Sequence, residues 1–304
     1  MDHALPVDHE VRLSRARLAL AGLSVGDAFG ERFFVHPSHL DGLIAERALP
    51  HAPWRYTDDT EMALGIMDVL GDRGSIDQDA LAGRFAARYL RDPQRGYGGG
   101  AHTILGEIAR GESWRESAGR VFDGQGSMGN GGAMRVAPIG AYFADDLDAV
   151  VTQARASAEV THAHEDGQAG AIAAALATAY AWRWRRGDAD VRETPLIEWI
   201  LGRVPPGRTR EGLVAASAVS RETSPREAAR RLGSGARVLS WDTVPFALWC
   251  AARHLDAYEE AMWTTVSGLG DRDTTCAIAG GIVALGAGPS SIPPAWLEAR
   301  EPLR

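Results

Sequence analysis

Residues 276–288 read CAIAGGIVALGAG, thirteen consecutive small or apolar residues with no charge and no proline. A helix needs about 20 such residues to cross a bilayer, so this run is too short to span one. Its side chains are small enough for neighbouring helix backbones to approach closely, which reads as a central helix over 274–287. AGAIAAALATA at 169–179 has the same character and reads as a second central helix over 165–186. Working outward, helical spacing recurs over 11–25, 58–71, 77–91, 99–110, 145–160, 194–202, 210–220, 225–232, 244–255 and 256–267. In the first of these, Leu13, Ala16, Leu20 and Leu23 form an apolar stripe. Alternating β-branched runs bounded by turns are missing. RDPQRGYGGG (91–100), DGQGSMGNGG (123–132) and RVPPGRTR (203–210) mark loops. The expectation is an all-α bundle forming one domain over 1–304.

Composition narrows the chemistry. The 304 residues are 45% hydrophobic and 24% charged, a globular balance. All 32 basic residues are arginine, which removes Schiff-base lysines and the lysine of a phosphate-binding P-loop. A formal net charge of −8 argues against a general nucleic-acid binder. The local exception, WRWRRG at 182–187, reads as a solvated helix end. Cys250 and Cys276 each lie in apolar runs and read as buried small hydrophobes, not a disulfide framework or zinc knuckle. MDHALPVDHEVRLSR at 1–15 has no apolar signal core, so a cytoplasmic protein without a membrane partner is expected.

Two acidic clusters stand at the mouths of helices. In WRYTDDTEMALG (54–65), Asp58 and Asp59 lie side by side between two threonines. Two anions about 4 Å apart repel by roughly 4 kcal/mol at an effective dielectric of about 20. In GLGDRDTTCA (268–277), Asp271 and Asp273 precede Thr274. Each cluster has a plain reading as a helix cap: Asp58 with Glu61 as a capping box, Asp271 or Asp273 as an N-cap. Capping uses one acid per helix, and each cluster carries a surplus one. Adjacent helical residues diverge, so oxygen ligands from the two clusters reach a site from several sides. Mg²⁺ and Mn²⁺ prefer such oxygens, and four carboxylates at −4 balance two divalent ions at +4.

The glycine-rich stretches are RGYGGGAH (95–102) and FDGQGSMGNGGAMRVAP (122–138). The second contains a literal Gly-x-Gly-x-x-Gly at 124–129. That pattern should follow a strand and open a helix, whereas here further glycines and Asn130 come next, so the match is discounted. Two readings remain, a flexible turn between helices and a backbone cradle whose N–H groups surround an anion such as a diphosphate, with Ser127 adding a hydroxyl. His162 and His164, with no third ligand nearby, make a poor zinc site. They read either as a helix start or as a hydrogen-bonding partner for a sugar hydroxyl.

The motifs GLSVGDAFG (22–30), YTDDTEMA (56–63), RGYGGG (95–100), GSMGNGGAMRVAPIG (126–140), THAHEDGQAGAI (161–172) and GDRDTTCAIAGGIVA (270–284) occur in that order. In this the chain resembles the ADP-ribosylglycohydrolase family, from about residue 15 to 288. The resemblance implies a compact orthogonal helical bundle around a binuclear Mg²⁺ or Mn²⁺ centre. Its implied ligands are Thr57, Asp58, Asp59, Asp271, Asp273 and Thr274. The implied ADP-ribose pocket falls on Gly98, Gly99, Phe122 as an adenine-stacking ring, the loop Gly126, Ser127, Met128, Gly129 and Asn130, and His162. The implied reaction is hydrolysis at C1″ of an ADP-ribosyl group, with Asp58, Asp59 and Asp273 among the catalytic residues. The implied partner is an ADP-ribosylated protein or a small ADP-ribose conjugate.

The sequence departs from the family pattern twice. Met128 stands where the serine-type loop commonly has an adenine-stacking tyrosine. Similar enzymes carry a glutamate seven residues after the Asp of "GD"; seven after Asp27 stands Phe34, and the nearest acid is Glu31. Glu31 is therefore the candidate acid or base, against its plain reading as a solvated loop glutamate. The displaced glutamate also motivates a rival reading, an ADP-ribose-binding protein without hydrolytic activity.

Overall fold

A computed structural model describes residues 5–304. It contains eighteen α-helices: α1 (His9–Glu31), α2 (Pro37–Ala45), α3 (Asp58–Arg73), α4 (Gln78–Arg91), α5 (Gly99–Ala109), α6 (Trp114–Arg120), α7 (Gly131–Met134), α8 (Ala137–Tyr142), α9 (Leu147–Glu159), α10 (Glu165–Arg186), α11 (Ala189–Glu193), α12 (Leu196–Leu201), α13 (Arg208–Ser217), α14 (Pro225–Leu232), α15 (Ser240–Arg253), α16 (Tyr258–Val266), α17 (Arg272–Ala287) and α18 (Pro294–Ala299). Among the described residues β-structure is confined to two isolated bridges, Trp54 with Arg300 and Gly129 with Leu239. The all-α expectation holds. No described helix is long and apolar enough to cross a membrane.

The two small-residue helices are central. Asp166–Trp182 of α10 and Thr274–Gly286 of α17 are buried throughout. α1 runs to Glu31, six residues past its expected end at 25. Gly22, Gly26 and Gly30 read as helix-weakening in isolation, but here they form a groove for α17. A Cβ on Gly22 would strike the carbonyl of Gly280, one on Gly26 the carbonyl of Cys276, and one on Gly30 the carbonyl of Arg272. The partner number falls by four as the glycine number rises by four, so the helices run antiparallel, backbone on backbone. Cys250 and Cys276 are free and buried, as expected.

Other boundaries shift for local reasons. α15 begins at Ser240, not 244, and carries Pro245 inside it. The loop expected over 123–132 gives way at Gly131 to α7 and then α8. α18 lies beyond the expected core limit of 288, yet Trp296 is buried and stacks on Phe29 at 4.7 Å between ring centres. Trp54, Phe33 and Trp263 complete that aromatic cluster. One contiguous apolar core extends from Leu13 to Trp296.

Candidate metal and nucleotide site

The site is assembled around Asp27, which follows the α1–α17 contact at Gly26. Its carboxylate is fully buried and accepts hydrogen bonds from the backbone N–H groups of Thr57 (3.0 Å) and Thr60 (3.1 Å). It also accepts from the hydroxyls of Thr57 (2.9 Å) and Thr60 (2.5 Å). The two threonines flanking the aspartates thus tie the N-terminus of α3 to α1. Thr57, not Asp58, caps α3: its hydroxyl oxygen accepts from the Asp59 N–H at 3.3 Å. Glu61 makes no capping box and instead pairs with Arg88 at 3.1 Å. Asp271 occupies the N-cap position of α17 but makes no side-chain cap bond. Neither acidic cluster therefore caps its helix with a carboxylate.

What surrounds these carboxylates is more negative charge. Burial, then Asp27 and Asp271, push Asp58 up to about 8, with the Arg135 guanidinium pulling the other way. Burial, then Asp27, Asp273, Asp58 and Asp271, hold Asp59 well above the ordinary carboxylate range. Burial, then Asp271 and Asp27, do the same to Asp273. Burial raises Asp27 to about 6 against the four donors that favour its anion. The two clusters, more than two hundred residues apart in sequence, share one electrostatic neighbourhood.

The loop residues gather beside it. Asn130 donates from its side-chain amide to Asp271 (2.7 Å) and Thr243 (3.0 Å), so it fixes a carboxylate of the second cluster. Met128 accepts through its carbonyl from the Ser240 N–H at 3.0 Å. Ser127 is buried and its hydroxyl oxygen accepts from the Gly129 N–H at 3.2 Å, leaving its own proton to donate elsewhere. Gly126 has φ +75°, and a Cβ there would meet the Ala163 and His164 backbone. His162 lies under the same turn, its ring against Gly131 and its Nδ1 bonded to the Thr161 hydroxyl at 2.8 Å. Burial, then Arg135, push its imidazole down to about 3, so it is neutral. His164 is the N-cap of α10. Gly98 and Gly99 open α5 and face open space. Phe122 is 55% exposed at φ +56°, with its ring over Gly100.

Comparison with known proteins bears on this arrangement. The ADP-ribosylglycohydrolase family model matches residues 8–303. The chain belongs to the ADP-ribosylglycohydrolase family. ADP-ribosylhydrolase ARH3 of Homo sapiens is 31% identical over 95% of this chain and 90% of its own length. ADP-ribosylarginine hydrolase Tri1 of Pseudomonas putida is 28% identical over 95% of this chain and 75% of its own. A solved ADP-ribosylglycohydrolase-related protein complex shares the fold with TM-score 0.66, at 23% identity over 96% of this chain and 94% of that one.

In this family member the described residues include no group of three or more His, Cys, Asp or Glu side chains already gathered to hold a metal ion. The donor set nonetheless fits hard divalent cations. It is all oxygen, and Asp59 Oδ1 and Asp273 Oδ1 are buried without any hydrogen-bond partner. A buried carboxylate oxygen left bare costs its full desolvation penalty, which a cation would offset.

Glu31 is the last residue of α1, not a loop residue, and is partly buried. Burial, then Asp27, raise it above the ordinary glutamate range. Phe34 is 47% exposed and lies under the Arg272 guanidinium, 4.3 Å from the ring centre. Sequence reasoning left Asp27 without a role although GD stood in a quoted motif. It also passed over Arg135, a fully buried guanidinium that donates to the Ser157 carbonyl and Thr161 hydroxyl and stacks on Phe85. Burial pushes Arg135 down to about 9. A separate cleft of about 600 Å³, lined by Tyr180, Trp184, Arg192, Arg221, Trp249 and Arg253 among others, contains none of these site residues.

Proposed function

We propose that this single-domain protein hydrolyses the glycosidic bond at C1″ of ADP-ribosyl groups. The substrates in view are serine- or arginine-linked ADP-ribosyl proteins and O-acetyl-ADP-ribose. The observation that carries this reading is the convergence of both acidic clusters on Asp27, with one oxygen of Asp59 and one of Asp273 left bare. Thr57, Asp58, Asp59, Asp271, Asp273 and Thr274 would hold two Mg²⁺ or Mn²⁺ ions. Such ions supply Lewis acidity toward ribose hydroxyls and water.

The chain's own groups supply the rest. The amides of Gly98 and Gly99, at the positive end of α5, and those of Ser127 and Met128 face the diphosphate, while the N–H groups of Gly126, Gly129 and Asn130 hold the loop's shape by donating to Val121, Ser127 and Val238. The exposed Phe122 ring stacks on adenine, and the Met128 thioether packs against the same base. Neutral His162 offers a hydrogen bond to a ribose hydroxyl without adding charge. Departure of the leaving group develops positive charge at C1″, which the surrounding carboxylates stabilise. Glu31, its proton affinity raised by burial, gives a proton to the leaving oxygen or nitrogen and accepts one from the attacking water.

The rival reading, a binder without turnover, draws on the Arg272-covered phenyl ring of Phe34 where similar enzymes carry their glutamate. One incubation separates the two. The protein is mixed with serine- and arginine-ADP-ribosylated peptides and with O-acetyl-ADP-ribose, each with Mg²⁺ or Mn²⁺, and free ADP-ribose is measured. Release that is lost in Asp273→Asn supports hydrolysis. Saturable binding with no release under either metal supports the binder.

A further inference from the structure

The segment carrying Thr57, Asp58 and Asp59 enters α3 from an irregular stretch, and the Gly96–Gly99 loop enters α5 from another. No helix or ladder fixes either one against the other. An ion pair does. Trp54 N–H donates to the Ala299 carbonyl (2.6 Å) and Glu301 N–H to the Trp54 carbonyl (2.9 Å), which lays residues 299–301 beside 54–56. The Glu301 carboxylate then accepts from the Tyr56 N–H at 3.1 Å and from the Arg95 guanidinium. Arg95 in turn donates to the Tyr56 carbonyl at 2.8 Å and stacks on the Tyr56 ring, 4.4 Å from its centre. Its own carbonyl accepts from the Asp58 N–H at 2.7 Å. Asp92 closes the network from the far side, 3.1 Å from Arg95 Nε.

Both backbone groups of Tyr56, the residue before Thr57, are thus held by one ion pair, whose arginine is buried and whose glutamate is partly buried. One member of that pair is the residue before Gly96. Arg95 is 8% exposed, so its charge is shielded from solvent and Glu301 is its main counter-ion. We propose that Glu301 and Arg95 are positioning residues, which clamp the aspartate-bearing segment against the glycine loop and so set the geometry of the metal ligands. This rests on the metal-site reading above, but the clamp itself has a readout independent of metal.

The test compares wild type with Glu301→Gln, Glu301→Asp and, as a control, Glu260→Gln, which breaks the exposed Arg47–Glu260 ion pair. Mn²⁺ affinity is measured by calorimetry below each melting temperature, and amide hydrogen exchange is followed for peptides covering 54–61 and α10. The expectation for Glu301→Gln is Mn²⁺ binding weaker by about 10-fold or more, the usual range for groups that orient metal ligands. Exchange over 54–61 should quicken with no change in α10, Glu301→Asp should recover part of both effects, and Glu260→Gln should match wild type. A Glu301→Gln protein with wild-type exchange over 54–61 overturns the clamp, whatever its melting temperature. So does one that loses stability but keeps Mn²⁺ affinity within twofold. If wild type takes up no Mn²⁺, the metal reading falls, and the clamp is decided by the exchange at 54–61 alone.

Discussion

Asp27 accepts hydrogen bonds from four donors and still titrates at about 6, because burial outweighs the donors that favour its anion. Asp58, buried and with like charges nearby that outweigh the Arg135 guanidinium, reaches about 8. Unfolded, both return to the ordinary value of 3.8. Between those limits the folded chain holds protons that the unfolded chain releases. The stability these groups contribute is therefore full below 3.8 and is lost as pH rises through about 6 and about 8. In metal-free, chelator-treated protein, wild type should lose melting temperature relative to Asp58→Asn as pH rises between those two values. Parallel curves for the two proteins would contradict the site's electrostatics. The four carboxylates of the two motifs were legible because each motif is local and each carries an acid that capping does not use. The anchoring role of Asp27, 30 residues from Thr57, and that of Asn130, 141 residues from Asp271, were not. No spacing rule reports a hydrogen bond across that distance.

At the scale of elements, the antiparallel contact of α1 with α17 sets where Asp27 meets Asp273. Gly26 is the critical point, since its would-be Cβ falls on the Cys276 carbonyl, which is backbone and cannot rotate away. Gly26→Val should destabilise the protein by about 3 kcal/mol or more through overpacking. Gly42→Ala on α2, where a Cβ meets nothing within 4 Å, should be neutral or stabilising by up to about 1 kcal/mol. Urea unfolding followed by far-UV circular dichroism reads both, and equal midpoints would show that the helices have room to part. The long helices were legible from periodicity and small-residue composition. The end of α1 was not, because a glycine penalty that holds for an isolated helix is overridden by tertiary contact. α7 and α8 were missed because they are only four and six residues long, α7 beginning with two glycines and α8 with Pro138 in its first turn.

Across the whole molecule, residues from both ends of the described chain support the site. Phe29 of α1 stacks on Trp296 of α18, and Trp54 packs edge-on against the same indole at 5.6 Å. That cluster lies two residues from Asp27 along α1 and three from Thr57 along the chain. Trp296→Ala should cost about 3–5 kcal/mol, the usual loss for a buried aromatic truncated to alanine, measured by the same urea titration. A loss below about 1 kcal/mol would mean that 294–299 is an appendage and not part of the core.

Metal binding tests the assembly as a unit. The proposed ligands come from the entries of α3 and α17, held together by α1 and by the loop at Asn130. An unfolded chain presents these acids in two separate pairs, so divalent cations should bind the folded state far better than the unfolded one. Ligand at about 100 times its dissociation constant then adds roughly 2.7 kcal/mol to stability. At a pH of about 8, where Asp58 without metal is about half ionised, Mn²⁺ should raise the melting temperature saturably and a chelator should reverse the gain. Asp59→Asn replaces one oxygen of a carboxylate that has a bare buried oxygen with an amide nitrogen, and takes the group's negative charge out of the cluster. It should melt higher than wild type without metal and gain little when Mn²⁺ is added. An equal Mn²⁺ shift in both proteins would place the bound ion elsewhere, since a site built on Asp59 cannot respond identically once that carboxylate has lost its charge.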